Sequence, residues 1–261
     1  MEKSTAALPF IASQHNPSFK QWRALLTTSG IKQHAQFLLH GKKVVEETLV
    51  KHTQHCRAVI TSERFLALPH VPASVKMFSL SHSLFQKLDC FGTQNPLLVC
   101  RVPPLPMIDL REPPDGVEVL CPLGDPTNVG ALLRSCQAFG ATKLIFLEEA
   151  THPCHPKSVR AASGAIFNQP LYQGPALQRL HQEHLDHSTI ALTMQGTPLT
   201  KFTWPINIRL VIGEEGPGLP SDLDLPCISI PMHNQNHSLN ASIAASIALY
   251  AYRLAHPWGV R

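Results

Sequence analysis

With 261 residues and 44% hydrophobic side chains, the chain has enough apolar material for one large domain or two medium ones. No uninterrupted apolar run is long enough to span a bilayer, and the opening MEKSTAALPF lacks the apolar stretch of a secretory leader, so a cytoplasmic location without a membrane partner is expected. Seven cysteines, an odd number without any CxxC pair, argue against a disulfide framework and for reduced, mostly buried thiols.

The net charge of +4 is unevenly placed. Residues 1–100 carry 11 Lys and Arg against 5 Asp and Glu (+6), and residues 101–261 carry 11 against 13 (−2). Such a split reads as a polyanion-binding module joined to a chemistry module, or as an ordinary solvated surface.

Residues 1–17 show no periodicity and are expected as a loose arm. Trp22, Leu25 and Leu26 share one face of a helix predicted over 19–30, with Gly30 as its stop. Phe37–Leu39 reads as a short strand, 42–51 as a helix with Val44, Val45, Leu49 and Val50 at helical spacing, and 58–60, 75–78 and 97–100 as further strands. Strands alternating with helices over 18–100 imply a small α/β sandwich. Residues 101–116, RVPPLPMIDLREPPDG, hold five prolines and read as a semi-rigid spacer between domains.

The second domain, 117–261, opens with a strand over 117–123 and the loop GDPTNVG. A helix over 129–139 follows, with an apolar face of Val129, Leu132, Leu133, Cys136 and Phe139, and Gly140 ends it. Strands are predicted at 143–147, 189–194, 210–212 and 227–230, a short helix at 156–163, an amphipathic segment at 177–185, and a last helix after the caps Ser238 and Asn240. This alternation describes a mostly parallel sheet covered by helices on both faces.

Three polar stretches stand out. Asn128 sits at a helix entrance, where it can cap or reach a ligand, and Arg134 interrupts the apolar ALLRSCQAF as an ion-pair member or an anion reader. Residues 213–218, GEEGPG, space their glycines as GxxGxG, which is not a dinucleotide fingerprint. Residues 230–240 run from strand end through Pro231-Met232 to Ser238-Leu239-Asn240, a loop whose backbone could read an adenine edge or simply connect a strand to a helix.

Taken together, DPTNVGALLRSCQAFGA, LVIGEEGPGL and IPMHNQNHSLNASIAASIALY resemble the three ordered motifs of the SpoU/TrmH-type RNA ribose 2′-O-methyltransferases of the SPOUT superfamily. THPCHPKSVRAASGAIFNQP resembles the family's intervening segment, and FLLHGKKVVEETL its auxiliary RNA-binding domain of ribosomal-protein-like fold. The resemblance runs from about residue 20 to 255. It implies a C-terminal domain with a trefoil knot that binds S-adenosylmethionine, a homodimer packed through the knots, and structured RNA as substrate, ribosomal RNA ahead of tRNA.

Carried over position by position, the resemblance implies cofactor contacts at Gly213, Gly218, Ile230, Met232 and Leu239. It implies catalytic roles for Asn128, Arg134, Glu215, Ser238 and Asn240. A ribose 2′-hydroxyl is a poor nucleophile and needs its proton removed or its oxyanion held. The family's proposal makes the arginine a general base. Because an arginine pKa lies above ~12, electrostatic holding of the oxyanion is the competing role. Two departures bear on cofactor affinity: Glu214 stands where a small or neutral residue is usual, and Asn234 where glycine is frequent.

Lys32, Lys42, Lys43 and Lys51 are the candidate phosphate contacts of the first domain. The histidines of HQEHLDH and HPCH have neither the spacing nor the setting of a metal site, so no metal is expected. Two rival functions are a tRNA-directed enzyme and an RNA-binding assembly factor that keeps the fold without the chemistry.

Overall fold

The computed structural model describes residues 8–65, 68, 70–183, 185, 187–233 and 238–258. The chain packs as two compact units, one of residues 1–103 with 154–160, the other of 104–153 with 161–261.

In the first unit β1 (Phe10–Ile11), α1 (Pro17–Ala24), α2 (Thr28–His34), β2 (Gln36–Leu39), α3 (Lys42–Lys51), β3 (Cys56–Ser62), β4 (Lys76–Leu80), α4 (His82–Gln86) and β5 (Leu97–Arg101) follow in order. The strands form one mixed sheet, β1-β4-β3-β5-β2, with β5 antiparallel to both its neighbours. Side chains alternate across it, as a pleated strand requires. Leu38, Ala58, Ile60, Leu97 and Val99 join Phe19, Trp22, Leu84 and Phe85 in one core cluster. Their strand neighbours Phe37, Leu39, Val59 and Leu98 are buried as well, so both sheet faces are covered.

Two expectations fail here. Residues 8–17 are not a loose arm: β1 pairs in parallel with β4, Phe10 opposite Ser79, and Asn16 caps α1 by accepting from Ser18 N at 2.9 Å. A two-residue strand is too short to show a period. The single helix over 19–30 is in fact two, because Thr27 turns extended and its Oγ1 accepts from Gly30 N at 3.2 Å as the cap of α2. Gly30 therefore lies inside a helix and does not stop one. A Cβ there would sit 2.0 Å from the carbonyl oxygen of Ala24, so glycine permits the close approach of α1 and α2.

The second unit contains β6 (Val117–Cys121), α5 (Pro126–Phe139), β7 (Lys143–Phe146), β8 (Leu171–Gln173), β9 (Thr189–Thr193), β10 (Thr197–Pro198), β11 (Ile208–Val211), β12 (Cys227–Ser229) and α7 (Ala241–Ala255); α6 (Pro156–Ala162), which falls between β7 and β8 in the chain, has its residues 156–160 in the first unit. Its seven strands are parallel throughout, in the order β10-β12-β9-β11-β6-β7-β8. Every residue of β6 and β11 is buried, including Glu118 and Arg209, which interrupt their otherwise apolar runs. From β6 the chain proceeds outward through β7 to β8, then continues on the other side of β6. The boundary between β6 and β11 is thus the point where strand order reverses, and in open α/β sheets ligands bind beyond the strand ends at such a point.

Arg209 of β11 and Glu118 of β6 are both fully buried and paired, Nε to Oε2 at 2.9 Å. Lys143 reaches the other Glu118 oxygen at 2.8 Å, and Arg209 also donates to the carbonyls of Leu110 and Glu112 at 3.0 Å each. These last two bonds hold the proline-rich segment on the unit. Gln173 N donates to Pro106 O and Ile108 N to Gln173 O, both at 2.9 Å, and Leu110 is buried in the core. Residues 104–116 are therefore not a free spacer. Proline leaves a segment without helix or strand signal, but its carbonyls can still be read by a buried arginine.

Among the described residues there is no disulfide, no metal-binding group of His, Cys, Asp or Glu, and no helix long and apolar enough to cross a membrane.

Candidate active site

The loops after β6 and β11 and the start of α7 converge beyond the ends of the strands. Asp125 begins α5 by accepting from Thr127 N at 2.8 Å and Asn128 N at 2.9 Å, with Pro126 in the first turn. This relieves Asn128 of the capping role its position at the helix entrance suggested. Its amide turns outward: Nδ2 donates to Glu215 Oε1 at 2.9 Å, and Oδ1 accepts from Asn240 Nδ2 at 2.9 Å. Glu215 also accepts from Gly124 N at 2.9 Å and Asp125 N at 3.4 Å, fastening the β6 loop to the β11 loop. Thr151 Oγ1 bonds the Gly124 carbonyl from the other side.

Asn240 is the cap of α7. Its Oδ1 accepts from Ser242 N, Ser242 Oγ and Ile243 N at 3.0, 2.7 and 3.2 Å. With the oxygen so occupied, only the amide nitrogen can face Asn128, and this fixes the orientation of both amides. Further along, Ser246 Oγ meets Ser135 Oγ at 2.7 Å, so α5 and α7 are joined by a polar seam as well as by packing.

Beside this network lies a cavity of about 570 Å³. Its walls include Leu192, Thr193 and Met194 from the end of β9, Ile212 and residues 213–219 after β11, Ile230 and Met232 after β12, and Ser238 to Ala241 at the entrance to α7. The loop 213–218 is a tight hairpin closed by Glu214 N to Gly218 O at 3.0 Å and Gly218 N to Glu214 O at 3.2 Å. A Cβ on Gly213 would lie 2.9 Å from the Gly218 backbone, which explains glycine there.

The structure thus places Gly213, Gly218, Ile230, Met232 and Leu239 in one cavity wall, together with Glu215, Ser238 and Asn240. Asn128 is bonded to two of that wall's members. Arg134 is not in the wall. It is exposed on α5, and among the described residues its side chain has no hydrogen-bond or ion-pair partner. Asn234 lies outside the described residues, as does His184 of HQEHLDH. The β9 residues of the wall went unnoticed in the sequence; being at the C-terminal end of a predicted parallel strand was the available signal. In the first unit, Lys42 and Lys43 open α3 and Lys51 closes it about 13 Å along the axis, while Lys32 lies in the last turn of α2; all four are exposed.

The cavity wall carries two carboxylates, Glu214 and Glu215, and among the described residues no basic side chain. A pyrophosphate would be repelled there. The volume lies within the roughly 300–1,000 Å³ of small-molecule sites, and the apolar residues suit a flat aromatic group.

Comparison with known proteins agrees with this geometry. Residues 117–250 match the model of the SpoU rRNA methylase family. The chain is 39% identical over 244 residues, 93% of its length, to a ribosomal RNA small subunit methyltransferase G 2 of Syntrophobacter fumaroxidans, and spans about half (48%) of that relative. It is 25% identical over 251 residues to the 23S rRNA (guanosine(2553)-2′-O)-methyltransferase of Bacillus subtilis, covering 93% of this chain and 98% of the other. The fold superposes with a TM-score of 0.77 on an AdoMet-bound rRNA methyltransferase from Sinorhizobium meliloti, at 20% identity, covering 95% of this chain and 98% of that one. The chain belongs to the SpoU rRNA methylase family.

Proposed function

We propose that this protein transfers a methyl group from S-adenosylmethionine to a ribose 2′-hydroxyl of structured RNA, ribosomal RNA ahead of tRNA. The observation that carries the reading is the Glu215–Asn128–Asn240 chain beside the cavity, two of its members in the cavity wall, which unites three segments remote in sequence at the strand-order reversal. The names of the relatives support ribosomal RNA, and that of the Bacillus subtilis relative supports the 2′-oxygen.

The cavity residues fit the cofactor. Gly213, Gly218, Ile230, Met232 and Leu239 would hold the adenosine part, and the wall's negative charge suits a cation. When bound, the cofactor supplies an electrophilic methyl on a sulfonium. The chain's own part is to position and to stabilise. Glu215 holds the β6 and β11 loops in register, and Asn128 and Asn240 present fixed amides at the cavity rim. Ser238, in the same cavity wall, would orient the ribose. Arg134, as a permanent cation on an exposed helix face, would attract the RNA phosphate and hold the charge that develops on the 2′-oxygen, rather than remove its proton.

Residues 18–100 would dock the RNA, with Lys32, Lys42, Lys43 and Lys51 on phosphates, in keeping with the +6 charge of residues 1–100. We infer a homodimer from α7. Ile243, Ile247, Tyr250 and Leu254 recur at i, i+4, i+7 and i+11, and Ile243, Tyr250 and Leu254 are 52%, 53% and 65% exposed in the single chain. An apolar helical stripe of this length calls for a partner, and a second α7 matches it. The trefoil knot and the cytoplasmic location belong to the same reading.

The test is transfer of labelled methyl from S-adenosylmethionine to total RNA of a strain lacking the protein, wild type beside Arg134→Ala. The expected result is one labelled RNA, with incorporation reduced at least tenfold in the variant. Cofactor binding without any accepting RNA would instead favour an assembly factor.

A further inference from the structure

We propose that Glu214 is a charge filter that makes the cavity prefer the cationic methyl donor over the neutral product left after transfer. The inference rests on the methyl-donor reading of the cavity. Glu214 and Glu215 are adjacent in the wall but differently engaged. The two oxygens of Glu215 serve three N–H donors, from Gly124, Asp125 and Asn128. That carboxylate is committed to holding loops. The Glu214 side chain is half-buried and has no hydrogen-bond or ion-pair partner among the described residues, while its backbone is clamped to Gly218 in both directions. No basic side chain lies among the described residues of the wall to neutralise it.

A carboxylate without a partner in a cavity wall is available to attract a cation. In methyl transfer the C–O bond forms as the C–S bond breaks, the bonding pair stays on sulfur, and the hydroxyl proton passes to solvent. The sulfonium thereby becomes a neutral thioether. The donor carries one positive charge more than the product, and a carboxylate within several ångströms distinguishes them by Coulomb attraction alone, whatever the detailed pose. At effective dielectric constants between protein surface and water this corresponds to about three- to tenfold in relative affinity. Glu214 would then help eject the product after each turnover.

The experiment is isothermal titration of the full chain with S-adenosylmethionine and with S-adenosylhomocysteine, for wild type, Glu214→Gln and Glu214→Asp. The ratio of the two dissociation constants, product over donor, is expected to fall about three- to tenfold in Glu214→Gln, mostly through weaker donor binding, and to be largely kept in Glu214→Asp. In wild type the ratio should also fall as salt is raised, a readout that does not depend on any variant folding. An unchanged ratio in Glu214→Gln, or a salt-independent ratio in wild type, overturns the proposal while leaving the methyl-donor reading intact. If wild type binds neither compound, that reading itself fails, and the proposal with it.

Discussion

Asn240 donates from Nδ2 to Oδ1 of Asn128 at 2.9 Å, although 112 positions separate them. The bond ties the start of the last helix to the first helix of the same unit, and Asn128 passes the tie on to Glu215. Asn128 therefore needs a donor on one side and an acceptor on the other, and only one amide orientation satisfies both.

Replacement of Asn240 separates its two duties. Asn240→Ala removes the α7 cap and is expected to cost about 1 kcal/mol of stability, within the usual 0.5–2. Asn240→Asp keeps a good cap but puts an acceptor opposite the Asn128 oxygen, so stability should hold while methyl transfer falls about tenfold or more. Denaturant unfolding and single-turnover transfer on both variants check this. Equal stability losses would show that the cap is not what Asn240 provides.

Glu215→Gln leaves three N–H donors facing one carbonyl oxygen and an NH₂ group. Loss of loop register is expected to lower transfer roughly ten- to a hundredfold, for a local cost of about 1 kcal/mol at this exposed position. The melting temperature should stay within about 3 °C of wild type, since the loops lie outside the core. A variant that melts much earlier would make Glu215 part of the fold rather than of the site.

Arg209→Met should be far more damaging to stability. It strips Glu118 of one partner in a fully buried setting and leaves the carbonyls of Leu110 and Glu112 without their donor. Breaking such a pair costs about 3–5 kcal/mol, whereas replacing both partners by apolar residues is often close to neutral. Urea unfolding of Arg209→Met, Glu118→Leu and the double variant should show the double variant less damaged than Arg209→Met alone.

His40 gives the first unit an acid-sensitive term. Burial, opposed by Asp89 and assisted by Arg160, lowers its pKa from 6.5 to about 4. The ring is 3% exposed, packs edge-on against Phe91 at 4.9 Å, and its Nδ1 has no partner among the described residues. Between pH 6.5 and 4 the unfolded chain takes up a proton that the folded one refuses. Stability is therefore lost as pH falls through this window, by on the order of 3 kcal/mol, and the loss levels off below it. Unfolding of wild type and His40→Phe from pH 7.5 to 4 should show this slope only in wild type.

The sequence revealed a good part of the second unit for a plain physical reason. Strands buried on both faces, a helix closed by Gly140 in the left-handed region and a helix opened by Asn240 leave local marks. The cavity wall was legible at Gly213, Gly218, Ile230, Met232 and Leu239 through the family resemblance. What escaped depends on contacts between distant positions. Asp125, not Asn128, caps α5, which leaves the Asn128 amide free for Glu215, 87 residues away. Arg209 and Glu118 look like solvated charges until their strands are paired. Gly30 looks like a helix stop until Ala24 is seen against it.

The most direct measurement is nucleoside mass spectrometry of ribosomal RNA from a strain lacking this protein, after incubation with the pure protein and S-adenosylmethionine. One nucleoside carrying its new methyl on the ribose 2′-oxygen is the expected result. A methyl on a base, or none on any RNA, would contradict the account.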